Sequence, residues 1–153
     1  MLKVLVVEEE LYARQSLVKL VRDYDTDGQF LILQAVNGEE GELVYHKEKP
    51  ELVLTDIRMP KMDGLALLAR IREEDSATQV VILSAYSDFE YARTALSNGA
   101  ADYLLKPIEK EALYDCLDKF VKRNRSEKKE ALIVGRDIVT KFIGNSIRNP
   151  GYT

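Results

Sequence analysis

Two rhythms of apolar residues alternate along this chain. Short runs in which almost every position is apolar have the length and β-branched content of strands: Lys3–Val7, Phe30–Val36, Glu51–Thr55, Gln79–Leu83 and Asp102–Leu105. Near-continuous runs of this kind suit strands covered on both faces. Between them the spacing turns helical. From Leu11, the residues Leu17, Leu20 and Val21 share one face at i, i+3, i+4, until Asp25-Thr26-Asp27-Gly28 breaks the pattern. Asn37-Gly38 is a turn, and Glu39–Lys49 is a second helix carrying Leu43 and Val44. Pro50 sets off the third strand. Leu65–Glu73 is expected to bury Leu65, Leu68 and Ile71. Asp88 is placed to cap a fourth helix, with Glu90 and Tyr91 in its first turn, that runs to Asn98 and stops at Gly99. Glu109–Lys122 is the fifth helix, with Leu113, Leu117, Phe120 and Val121 on one side.

Five β–α units in strict alternation predict an α/β fold with a parallel sheet and helices on both faces. Crossovers are expected to be right-handed. Five strands are too few for an eight-fold barrel, so the expected architecture is an open, doubly wound, flavodoxin-like sheet in the order 2-1-3-4-5. Residues 1–123 make up this domain. Residues 124–153 are a charged linker followed by an amphipathic segment with Ala131, Ile133, Val134, Ile138, Val139, Phe142 and Ile143. Such a tail cannot bury its stripe alone: it either packs on the sheet domain, pairs with a second copy, or begins something the chain lacks.

The totals narrow the function classes. The chain has 153 residues, 46% of them hydrophobic and 31% charged, with a formal net charge of −4. That is an ordinary globular composition, and its sign argues against a nucleic-acid surface on this portion. No run of eighteen apolar residues suggests a membrane span. The opening Met1-Leu2-Lys3-Val4 reads as a strand and not as a signal peptide, so a cytoplasmic setting is expected. Cys116 and His46 are the sole residues of their types, which excludes a disulfide framework or a Cys/His metal site. Cys116 is expected to be a small buried apolar residue and His46 a solvated one.

The chemistry gathers at the C-terminal ends of the strands, where open α/β sheets place their ligands. Strand one ends with Glu8 and Glu9, strand three with Asp56, strand four with Ser84 and strand five with Lys106. Strands one and three are neighbours at the switch point of the order 2-1-3-4-5, so Glu8, Glu9 and Asp56 are expected to converge. Clustered carboxylates call for a cation, and an all-oxygen set partly open to water suits Mg²⁺. Such an ion can bridge and neutralise a phosphoryl group. Lys106 adds a point charge for the phosphoryl oxygens, Ser84 a hydroxyl, and a carboxylate such as Asp56 can itself be the nucleophile. The parts fit phosphoryl transfer to Asp56.

At these residues the chain resembles the receiver domain of bacterial two-component response regulators. The likeness spans Lys3 to about Arg123. It rests on the acidic cluster after strand one, Thr55-Asp56-Ile57-Arg58-Met59-Pro60 with Asp63-Gly64, Ser84-Ala85, and Asp102-Tyr103-Leu104-Leu105-Lys106-Pro107. The resemblance implies that Asp56 is the phosphoacceptor, supplied by a phosphohistidine on a sensor histidine kinase, and that Ser84 and Lys106 contact the phosphoryl group. It implies a Mg²⁺ site made of Glu8, Glu9, Asp56 and the backbone carbonyl of Arg58, a switch pair of Ser84 and Tyr103, reset-rate residues at Arg58 and Tyr86, and a cis bond before Pro107. It also implies a phosphorylation-driven repacking of the fourth and fifth helices and a homodimer formed there or through the tail. Asp56-Ile57-Arg58-Met59-Pro60 and Tyr86-Ser87-Asp88-Phe89-Glu90-Tyr91-Ala92 further resemble receivers that precede an AraC-type helix-turn-helix domain, so DNA is expected to be reached only through a domain outside this chain. One departure stands out. The family's acidic pair is usually two aspartates, or glutamate then aspartate, whereas here both are glutamates. Each reaches one methylene further, and since Mg²⁺ demands near-ideal octahedral geometry, weaker metal binding is expected.

Two other readings compete. A pseudo-receiver would keep the fold as an interaction module without being phosphorylated. An aspartate-nucleophile phosphatase would need a second aspartate two residues after Asp56, where Arg58 stands. The leading reading is a signalling domain and not an enzyme. A dinucleotide-binding enzyme is disfavoured because no G-x-G-x-x-G follows the first strand.

Overall fold

The computed structural model describes residues 1–85 and 89–126. The elements follow in the order β1 (Leu2–Val7), α1 (Leu11–Tyr24), β2 (Phe30–Ala35), α2 (Gly38–Glu48), β3 (Leu52–Asp56), α3 (Gly64–Glu74), β4 (Gln79–Ser84), α4 (Phe89–Ser97) and β5 (Asp102–Leu105), and a fifth helix, α5, covers 110–126. All strand pairs are parallel, and the sheet order is β2-β1-β3-β4-β5. Two compact units are distinguished, Met1–Cys116 and Leu117–Thr153. The sheet and the site below lie entirely in the first. In the second, the described residues 117–126 are helical.

The central strands β1, β3 and β4 are buried almost throughout, which is why their sequences run apolar without alternation. The edge strand β2 is different: Leu31 is 40% exposed. Helix starts are set by side chains that accept from otherwise unpaired amides. Glu10 accepts from Tyr12 N and Ala13 N, Asn37 from Glu40 N and Asp63 from Ala66 N. One core cluster joins Leu5, Val7, Tyr45, Val53, Ile57, Leu67, Leu68, Ile71, Val80, Ile82 and Ala95. Ile57 matters most for the site. It directly follows Asp56 and is 2% exposed, and a fully buried isoleucine contributes about 1.5–3 kcal/mol. That burial pins the start of the β3–α3 loop.

Three details differ from the sequence expectation. In α2 the buried residues are Gly38, Gly41 and Tyr45, while Leu43 is 69% exposed; the helix packs through a small-residue face with one aromatic. In α3 Leu67 joins Leu68 and Ile71 in the core and Leu65 is half-buried, because the helix begins at Gly64. β3 and β4 each extend one residue further, to Asp56 and Ser84. Cys116 is buried and its Sγ donates to Asp102 Oδ2 at 3.4 Å. His46 is exposed and lies 3.1 Å from Glu74 and 3.6 Å from Glu42. Asp88, Tyr86 and the tail segment fall outside the described residues.

Candidate functional site

The parallel pairing brings the ends of β1, β3 and β4 side by side, with Val7 opposite Thr55 and Asp56 opposite Leu83. Glu8 is thereby set beside Asp56, and Ser84, which is fully buried, lies one residue beyond. Ser84 pairs with Leu105, and the next residue, Lys106, donates its amide to the Ser84 carbonyl at 2.7 Å. The Lys106–Pro107 peptide is cis.

Lys106 stands at the centre of the site. Its Nζ donates to Glu8 Oε1 at 2.5 Å and to Asp56 Oδ2 at 3.1 Å. Each carboxylate has a second tether. Glu8 Oε2 accepts from Glu10 N at 3.1 Å, and Asp56 Oδ1 accepts from Ile57 N at 2.8 Å. Glu8 is 4% exposed, so it has exchanged water for one ammonium and one amide, the pairing a buried charge requires. Burial pushes the Asp56 carboxyl above the ordinary carboxylate range. Lys106 pulls it down, the neighbouring Glu8 charge pushes it up again, and the net is a raised value. Burial by itself would lower the Lys106 ammonium, but the hydrogen bond it donates to Glu8 and the charges of Asp56 and Glu8 outweigh it and hold the lysine above its usual value. A carboxylate that is costly to keep charged, next to a cation that never releases its proton near neutrality, is a combination found at functional sites.

Glu9 does not join Glu8 and Asp56. It is exposed and lines a hollow of about 450 Å³ with Ile57, Arg58, Met59, Asp63 and Tyr91. Among the described residues no three His, Cys, Asp or Glu side chains stand close enough together to hold a metal ion. The expected convergence of three carboxylates is therefore replaced by a pair bridged through Lys106, with the third at the rim. The reason is local: Glu8 turns inward to the lysine, while Glu9 sits in the bend between β1 and α1 and stays exposed. The donor set still suits a hard cation in kind. The carboxylates of Glu8, Glu9 and Asp56 and the Arg58 carbonyl are all oxygen, and Glu9 and Arg58 border one hollow together with Ile57, the residue after Asp56. Tyr103 is half-buried, packed against the core cluster. Tyr86 lies outside the described residues.

Residues 4–118 match the family described as the response regulator receiver domain. The chain belongs to this family. It is 38% identical over 125 residues to a response regulatory protein of Staphylococcus epidermidis, covering 80% of this chain and 48% of that one. It is 33% identical over 122 residues to the transcriptional regulatory protein YesN of Bacillus subtilis, covering 79% of this chain and 33% of that one. Among solved structures, the N-terminal domain of a protein from Wolinella succinogenes superposes with a TM-score of 0.74 at 33% identity, over 83% of this chain and 99% of that one. The chain spans about half the length of several curated relatives it matches. Receiver domains are signalling modules of two-component systems; they generally bind Mg²⁺ for phosphorylation and interact with histidine kinases. No helix among the described residues of this receiver is long and apolar enough to cross a membrane.

Two contacts at the site escape a reading by motif. Arg14 of α1 donates from Nη1 to the carbonyls of Glu8 at 2.9 Å and Glu9 at 3.4 Å, and from Nε to Gln34 Oε1 at 3.1 Å, so it fixes the backbone that carries the acidic pair. A cation in the first turns of a helix is unfavourable to the dipole, and that misplacement was the available signal. Arg58 donates from Nη2 to Tyr91 Oη at 3.1 Å. Thirty-three positions separate them, and no local spacing announces such a pair.

Proposed function

We propose that this receiver is a phosphorylation-activated switch in which Asp56 accepts a phosphoryl group from a histidine kinase. The observation that carries the reading is the single ammonium of Lys106 shared between Glu8 and a half-buried Asp56 whose carboxyl is held above its ordinary range. In the transfer, one Asp56 carboxylate oxygen attacks phosphorus, a P–O bond forms, and the P–N bond to the kinase imidazole breaks. Lys106 moves its hydrogen bonds toward the incoming phosphoryl oxygens, and Ser84 offers its hydroxyl to another. The Ile57 amide keeps the carboxylate oriented during attack. Glu8, Glu9, Asp56 and the Arg58 carbonyl would hold Mg²⁺, whose positive charge supplies neutralisation of the transferring group. The longer glutamate at position 9 makes that hold weaker than an aspartate would. Hydrolysis of the acyl phosphate resets the switch at a rate tuned by Arg58 and Tyr86.

In this reading Ser84 and Tyr103 relay the change to α4 and α5, which form a homodimer with or without the tail. Residues 1–123 are the receiver, and 124–153 begin an effector region of the AraC-type transcriptional kind. The module catalyses nothing beyond its own phosphorylation and reset, and works in the cytoplasm. A second reading is favoured by one observation, the exposed Glu9 outside the carboxylate pair: a pseudo-receiver that is not phosphorylated. Intact-mass measurement after incubation with acetyl phosphate, with and without Mg²⁺, separates them. A Mg²⁺-dependent gain of one phosphoryl group, absent in Asp56→Asn, supports the switch. No gain at any Mg²⁺ concentration overturns it in favour of the pseudo-receiver.

A further inference from the structure

Glu8 is held at each of its polar groups. Its amide donates to the Ala35 carbonyl at 3.1 Å, its carbonyl accepts from Arg14 Nη1 at 2.9 Å, and its carboxylate accepts from Lys106 and from Glu10 N. Glu9 is held differently. Its side chain is exposed, and its carbonyl accepts from the same Arg14 Nη1 at 3.4 Å. The placing of Glu9 therefore follows the Arg14 guanidinium. Arg14 sits near the N-terminus of α1, where the helix dipole disfavours a cation, and an unrestrained arginine has many rotamers to lose. A further contact narrows that freedom. Arg14 Nε donates to Gln34 Oε1 at 3.1 Å. Gln34 belongs to β2 and is paired in register with Val6 of β1, so the acceptor is mounted on the sheet and not on the loop it serves. A planar guanidinium engaged at both Nε and Nη1 is fixed in its plane.

We propose that Gln34 is a positioning residue for the reaction at Asp56: through Arg14 it sets the backbone of Glu9, and with it the reach of the Glu9 carboxylate toward a divalent ion. The inference rests on the reading that Glu9 contributes to Mg²⁺ binding. Mg²⁺ demands near-ideal octahedral geometry, so a ligand on a wandering backbone holds it less well. Gln34 is exposed and uncharged, and replacing it with another neutral residue disturbs neither the core nor the net charge at the site. Replacing Arg14 would also take a positive charge away from the cation's surroundings, which makes Gln34 the cleaner probe of position.

The test is a Mg²⁺ titration of the full chain followed by the NMR shifts of the Glu10 and Ile57 amides, with amide exchange at Glu10 as a second readout. Gln34→Leu removes the acceptor. It is expected to weaken Mg²⁺ binding about threefold, the size of one exposed hydrogen bond, and to speed exchange at Glu10. Gln34→Glu keeps the acceptor oxygen and is expected to bind at least as tightly as the parent. In an Arg14→Met background, Gln34→Leu is expected to change nothing further. Gln34→Thr, too short to reach Arg14, replaces Gln34→Leu should the added apolar side chain cause association, with the same results expected. Unchanged affinity in Gln34→Leu overturns the proposal even if exchange is faster, since Gln34 would then be merely structural. A loss of equal size without the Arg14 guanidinium also overturns it. If the unaltered chain takes up no Mg²⁺, the metal reading and this inference fall together. If it binds while Gln34→Leu matches it, the inference alone falls.

Discussion

Replacing Gly64 with alanine is expected to damage both the stability of the receiver and the reactivity of Asp56. Gly64 heads α3, and its amide donates to the Ile57 carbonyl at 2.8 Å. A Cβ there would lie 2.1 Å from the Asp56 carbonyl oxygen, 2.9 Å from its carbon and 3.1 Å from Ile57 Cα. All three are backbone atoms, so no rotamer change can yield space. Real Cβ contacts stay beyond 3.0 Å, so helix and strand end must part by nearly an ångström. Overpacking of this kind costs about 1–3 kcal/mol, offset in part by the better helix propensity of alanine, at most about 1 kcal/mol. A domain with roughly 5–15 kcal/mol of stability still folds. The displacement falls on the peptide whose Ile57 amide holds Asp56 Oδ1 at 2.8 Å, and a misplacement of about 1 Å can cost about 100-fold in rate. Urea unfolding followed by far-UV circular dichroism is expected to show a loss of about 1–2 kcal/mol. Time-resolved intact mass with acetyl phosphate is expected to show phosphorylation slowed about 100-fold. Gly28→Ala is the control. Its φ of +64° strains any side chain but nothing lies within 4 Å, so it should cost about 1–2 kcal/mol and leave the phosphorylation rate alone. A Gly64→Ala protein as stable and as reactive as the parent would refute the reasoning.

Three further outcomes follow from the same geometry. Lys106→Met strips Glu8 of its ammonium; a broken buried pair costs about 3–5 kcal/mol, and with the lysine side chain 26% exposed the loss at pH 7 should be about 2–3 kcal/mol, recovered largely by adding Glu8→Gln in a urea titration. Asp56→Asn should change the pH profile of stability: because burial raises the folded-state carboxyl above its reference of 3.8, the folded form binds its proton more tightly, and the parent loses stability as pH rises from that reference through the raised value. The melting-temperature difference, variant minus parent, should therefore grow across that window, and a flat difference would contradict the assigned burial effect. Arg14→Gln removes the clamp on the Glu8 and Glu9 carbonyls; a cost of about 1 kcal/mol with faster amide exchange at Glu10 is expected, and unaltered exchange there would count against the clamp.

Much of the architecture was legible because buried parallel strands leave so little freedom in composition. Val4–Val7, Leu52–Leu54 and Val80–Leu83 are apolar at every position since both faces are covered, and Gly99, with φ +90°, ends its helix as glycine does. The places of Glu8, Asp56, Ser84 and Lys106 followed from strand ends and sheet order alone. Less legible was anything decided by one side chain reaching across space. The packing face of α2 was not legible either: Leu43 is exposed, and a glycine face with Tyr45 is buried instead, glycine carrying no apolar signal. Glu9 was expected beside Asp56 from the same sheet order, but strand neighbours fix where a backbone ends, not which way the side chain after it turns, and here Glu8 faces Lys106 while Glu9 is exposed. The grip of Arg14 on the loop, and that of Tyr91 on Arg58, involve residues whose types are unremarkable on helix surfaces.

Lys106 follows the edge strand β5, yet its ammonium ends between Glu8, which follows β1, and Asp56, which ends β3, and β4 lies beneath the span. Strands in a parallel sheet communicate sideways through their ladders, one neighbour at a time. Here a tether passes over the top of the sheet and links its margin directly to its middle. Any change in negative charge at the middle alters the tension on that tether at once, and the marginal loop feels it without any intervening strand having to shift. The sheet can thus stay rigid as a frame while its outermost turn is pulled or let go.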